Sequence, residues 1–117
     1  MDQIFSKLKE HGIDTTGAIE RLGGNKKLYL GICMKFVHDK SYPSILESFA
    51  AGNLSEVQLH IHTLKGVAAN LGFINLYALC DGLLDKLRQK EMKPLEIYIQ
   101  RLSQEYELLI SILSGRE

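Results

Sequence analysis

The segment His60-Ile-His62-Thr-Leu-Lys65-Gly66 gathers nucleophiles, a cation and a bare backbone position within two helical turns. A neutral imidazole, with an ordinary pKa near ~6.5, can attack phosphorus around neutral pH without a separate base. Such a group needs access more than activation. Glycine inside a helix costs about 1 kcal/mol relative to alanine, so Gly66 calls for a reason. Clearing the flank of an imidazole for a tetrahedral phosphoryl group is one. Lys65, three positions after His62, can lean its ammonium toward an attached phosphoryl group or toward the charge of a transferring one. The competing account makes Lys65 an ordinary solvated charge and Gly66 a helix–helix contact. It explains each residue separately but not their grouping.

The helix that carries them decides which histidine is available. Leu54, Val57, Ile61, Leu64, Ala68 and Leu71 recur at alternating spacings of three and four, the stripe of a helix packed at a shallow angle. At about 100° per residue, His62 points roughly 125° from the centre of that stripe and His60 only some 75° from it. His62 is therefore the outward one, with Gly66 on one side of it and Leu59 on the other. His11 and His38 fall near predicted helix ends and read as solvated or capping residues.

Glycine, proline and turn residues at Gly23-Gly24, Ser41-Tyr42-Pro43, Gly52-Asn53, Gly72 and Lys93-Pro94 separate stretches of helical period, and no alternating, strand-like run occurs. Short helices are predicted over 2–10 and 15–22. Asn25 can cap a third running toward Asp39, which after a break or kink at Pro43 resumes to Ala51. Asn53 and Glu56 have the spacing of a capping box for a helix over 54–71. Another is predicted over 75–90, and Pro94 suits the first position of a last helix reaching about Leu113.

Phe73, Leu76, Cys80, Leu83 and Leu87 make a second stripe, and Leu95, Ile99, Leu102, Tyr106, Leu109 and Leu113 a third. Leu28, Ile32 and Phe36, with Ile45, Leu46 and Phe49, supply a fourth wall. The fold class is thus all-α: an antiparallel four-helix bundle with short connections, capped at one end by the amino-terminal helices.

The chain has 117 residues, 45% hydrophobic and 24% charged, which suits a single domain over 1–117 with one core. Fourteen Lys plus Arg offset fourteen Asp plus Glu, so the overall charge points to neither nucleic acid nor an anionic membrane. Tyr29, Tyr42, Tyr77, Tyr98 and Tyr106 read as core or rim aromatics, since no basic groove accompanies them to make a stacking platform. Cys33 and Cys80 lack metal-ligand spacing and read as reduced, packed thiols. No signal segment or uninterrupted apolar span is seen, and a cytoplasmic location is expected.

The string His62-Thr-Leu-Lys65-Gly66-Val-Ala-Ala-Asn-Leu-Gly72 resembles the signature of histidine-containing phosphotransfer domains, the HPt modules of bacterial multistep phosphorelays. Ile13 to Val37 is similar to the segment that opens these domains, and LYALCDGLLDKL resembles the helix after the histidine helix. The likeness extends from about residue 13 to 113. A lone HxxKG is a weak signal; joined to four matching amphipathic helices it is a strong one. The resemblance implies that His62 is phosphorylated, at Nε2, with Lys65 and Gly66 in the supporting roles argued above. One departure stands out: many relatives carry Glu or Gln where this chain has Leu84, on the helix facing the histidine.

The resemblance also implies carriage rather than turnover in a two-component signal-transduction system. His62 would accept a phosphoryl group from a receiver-domain aspartate and return it to another. The partner receiver would carry the Mg²⁺, and a hybrid sensor kinase is a further candidate partner. No nucleotide loop or acidic metal cluster accompanies His62, so neither a cofactor nor a metal of its own is expected. Wheel positions put Gln58, Leu59, Ala69 and Asn70 around the histidine as docking residues. A monomer is the expectation for the family, and the starting methionine and compact length favour a free-standing protein over a piece of a hybrid kinase. Two rival functions remain: a helical adaptor that binds receivers or other signalling partners without being phosphorylated, and a small histidine-dependent phosphatase or kinase fragment. The enzyme reading is disfavoured because no second catalytic group is evident near His62.

Overall fold

A computed structural model describes residues 2–115. Among them every regular element is helical: α1 Asp2–Glu10, α2 Thr15–Arg21, α3 Lys26–Val37, α4 Ser41–Ala50, α5 Leu54–Leu71, α6 Ile74–Gln89 and α7 Met92–Leu113. The starts follow local chemistry. Asp14, Asn25 and Asn53 each accept a backbone N–H from the first turn of α2, α3 and α5, at Gly17, Leu28 and Glu56 respectively. The capping box on α5 is half formed: Asn53 caps, but the Glu56 carboxylate reaches forward to His60 Nε2, 3.3 Å away.

Neither proline marks the boundary that the sequence suggested; each sits two residues inside its helix. The chain breaks at His38–Lys40, where Asp39 accepts the Ser41 N–H at 2.8 Å, and Pro43 is the third residue of α4. Pro94 is likewise the third residue of α7, not its first. First-turn N–H groups have no intrahelical partner, so proline loses nothing at any of these positions and cannot fix the boundary alone.

The packing is sequential. α5 lies between α4 and α6, and α6 packs in turn against α7; α3 touches α5 and α7 less extensively. The stripes expected on α5, α6 and α7 face the core, with Leu54, Leu87 and Tyr106 half-buried at their margins. α3 differs. Tyr29, Leu30, Cys33 and Phe36 are its buried residues, whereas Leu28 is exposed and Ile32 half-buried. On α4 Ile45 is buried while Leu46 faces outward. α3 is apolar around much of its circumference, so its sequence offers several stripes and only contact chooses among them.

The amino-terminal elements close the end of the molecule where α5 finishes. Gly72 has φ +75°, and a Cβ there would collide with the Asp14 carbonyl, whose own N–H donates to Gly72 O at 2.9 Å. Glycine is thus required twice, by conformation and by close approach. Arg21 donates through Nη2 to the carbonyls of Ala69 and Asn70 at 3.0 and 3.3 Å, and the Tyr29 hydroxyl donates to Leu71 O at 2.7 Å. The last carbonyls of α5, which have no intrahelical partner, are satisfied from α2 and α3. His11, expected to be a solvated or capping residue, instead binds Glu105 at 2.7 Å and ties the end of α1 to α7. His38 is exposed at the end of α3.

Cys33 and Cys80 are free and fully buried. Burial pushes the Cys33 thiol up to about 11 and that of Cys80 to about 12, which keeps both protonated and inert. No helix of the described residues is long and apolar enough to cross a membrane.

Candidate functional site

The Asn53 cap and the Gly72 stop fix α5 in length and phase, so its outward face is determined once Val57, Ile61, Leu64 and Ala68 are buried. On that face His62 is exposed and makes no hydrogen bond or ion pair among the described residues, while His60 is half-buried and held by Glu56. Gly66 is open: a Cβ built there meets nothing within 4 Å. This removes the helix–helix account of that glycine and leaves the flank of His62 bare.

α6 runs antiparallel beside this face. Lys65 meets Asp81, Gln58 shares a groove with Arg88, and Ala69 shares a pocket with Tyr77, so partner numbers fall along α6 as they rise along α5. That register sets Leu84 level with His62. The two residues line an open groove of about 460 Å³ together with Ser55, Gln58, Leu59 and Arg88. Its floor beside the imidazole is the half-buried Leu84, where a polar group would have been able to hold the ring. Leu59, 57% exposed, forms an apolar lip.

Lys65 is directed elsewhere than toward His62. Its Nζ donates to Asp81 Oδ1 at 2.8 Å and lies 5.2 Å from the centre of the Tyr77 ring. The bond to Asp81 raises the Lys65 pKa, and the same bond holds the Asp81 carboxyl below the usual carboxylate range.

The docking residues expected from the helical wheel divide into two groups. Gln58 and Leu59 line the histidine groove. Ala69 lies about 10 Å farther along α5. It lines a smaller pocket of about 250 Å³ with Asp14, Arg21, Ala68, Gly72, Ile74 and Tyr77. Asn70 is exposed beside it, its carbonyl and that of Ala69 already occupied by Arg21. Arg88, Asp81 and Tyr77 are the additions that sequence reading did not find. Their types carried no signal; only the α5–α6 register brings them to this face.

Nothing in the groove resembles an enclosed cofactor site, and no cluster of three or more potential metal ligands occurs among the described residues. The described residues thus form an all-helical scaffold with an unobstructed imidazole on an open face. The family is then given by comparison: residues 39–112 match the model of the Hpt domain. The chain belongs to the Hpt domain family, whose members are phosphocarrier modules of two-component phosphorelays and work by histidine phosphotransfer. The match spans α4 to α7 except for the last residue, Leu113, so the opening segment Ile13–Val37 lies outside it. No curated protein and no solved structure gives a match.

Proposed function

We propose that His62 is the residue that carries the phosphoryl group, taking it from an aspartyl phosphate of one receiver domain and passing it to an aspartate of another. One observation carries this reading. Of the two histidines inside the matched residues, His62 alone is exposed and unbonded, and it stands beside a glycine whose side-chain space is empty. In the forward step the neutral imidazole Nε2 attacks phosphorus; the P–N bond forms as the P–O bond to the aspartyl carboxylate breaks, and the carboxylate leaves on the receiver. The return step reverses these bonds. Mg²⁺ belongs to the receiver and offsets charge on the transferring group. The groove between α5 and α6, with Gln58 and Leu59 at its edge, receives the partner, and Ala69 and Asn70 extend that contact toward the α2 end.

In this reading α4, α5, α6 and α7 are the four walls of an antiparallel bundle, closed between the first and last walls by Tyr42 stacked on Tyr106 at 3.9 Å. α1 to α3 then close one end. Residues 1–117 act as one carrier domain, monomeric and in the cytoplasm, that draws its phosphoryl group from a partner rather than from ATP.

The test is transfer from a phosphorylated receiver. His62→Gln should keep its helical circular dichroism yet take up no acid-labile label, whereas His60→Gln should still be labelled. Signalling that survives His62→Gln would instead favour an unphosphorylated adaptor.

A further inference from the structure

Lys65 is anchored from two sides, and both anchors are on α6. Asp81 holds its ammonium at 2.8 Å, and the Tyr77 ring lies under it at 5.2 Å. Lys65 also lies one turn beyond His62, about 4.5 Å along the axis. In this structure the ammonium leans away from the turn that bears His62, toward Tyr77, which shares a pocket with Ala69, and its flexible four-carbon stem must swing back to face His62. To meet a phosphoryl group on or approaching His62, the ammonium must turn from the Asp81 carboxylate and the Tyr77 ring that it now faces on α6. An exposed pair such as Lys65–Asp81 is weak enough to exchange for a doubly charged competitor.

We propose that Asp81 is a positioning residue that sequesters Lys65 against α6 while His62 is unmodified, and yields it to the phosphoryl group during transfer. This rests on the reading that His62 is the phosphoryl carrier. Asp81 thereby sets how readily His62 gains its phosphoryl group. Were Lys65 free, the incoming group would meet an unpaired cation; with Asp81 present, the Lys65–Asp81 hydrogen bond must break first.

The experiment labels the 117-residue chain with phosphoramidate, a small donor that needs no docking surface. Its P–N bond breaks as the P–Nε2 bond to His62 forms, and ammonia leaves. Asp81→Asn should speed labelling by about two- to fivefold, the range set by loss of one exposed ion pair, and Asp81→Glu should restore the wild-type rate. With Lys65 replaced by Ala, adding Asp81→Asn should change the rate little. Melting temperatures of the variants should fall by no more than the few degrees that one exposed ion pair contributes. An unchanged rate in Asp81→Asn, or the same acceleration in the Lys65→Ala background, overturns the proposal while the label on His62 leaves the functional reading standing. A wild-type protein that takes no label on His62 overturns both.

Discussion

Gly66 and Gly82 occupy the middles of neighbouring helices, and each carries the same intrinsic penalty of about 1 kcal/mol relative to alanine. Their surroundings are opposite. A Cβ on Gly66 would enter open space beside His62, whereas one on Gly82 would strike the Tyr98 ring of α7. Gly82 lets α6 and α7 approach; Gly66 does nothing for packing. Gly31 inside α3 is equally open, so open space alone marks no site; Gly66 differs from it in standing one turn from His62. The His62 imidazole is exposed and makes no hydrogen bond among the described residues. The contrast separates a face of α6 shaped by packing from an open face of α5, the face on which the proposed transfer would take place.

The packed half of the contrast offers the largest expected effect. Gly82→Ala should lose about 1–2 kcal/mol of stability, as overpacking against Tyr98 exceeds the gain in helix propensity. Pairing it with Tyr98→Ala should remove that penalty in a double-mutant cycle. A Gly82→Ala protein as stable as the wild type would erase the distinction between the two glycines.

The open half predicts the reverse sign. Gly66→Ala should raise stability by up to about 1 kcal/mol, read from the denaturation midpoint, while slowing transfer from a phosphorylated receiver. Faster transfer, or a loss of stability, would show that the bare flank is not what Gly66 provides. The smallest effect on stability is expected at Leu84, half-buried on the boundary between the two faces. Leu84→Gln should change stability by less than about 1 kcal/mol and alter the transfer rate more. Unchanged kinetics with a lowered melting temperature would assign Leu84 to packing alone.

Much of the scaffold was legible along the chain. The stripes on α5, α6 and α7 are legible because spacings of three and four persist over several turns, although Leu59, Ile74, Tyr77 and Ile97 stand exposed outside them, and the α5 limits coincide with Asn53 and Gly72. The weaker reading of α3 has a physical cause. Leu28, Tyr29, Leu30, Ile32, Cys33, Met34 and Phe36 surround the helix, so period alone could not tell that Tyr29 would turn inward to the Leu71 carbonyl. The prolines misled for a related reason, since any position in a first turn tolerates them.

The sequence alone determined that His62 faces outward with Gly66 beside it, because the backbone hydrogen bonds of one helix fix the angular relation of residues three and four apart. Only the tertiary structure decided that Lys65 turns to Asp81, that Leu84 and Arg88 share the groove with His62, and that His11 binds Glu105. Those pairings join residues on different helices, and the register between helices is set by how their cores interlock, which no spacing within either helix encodes.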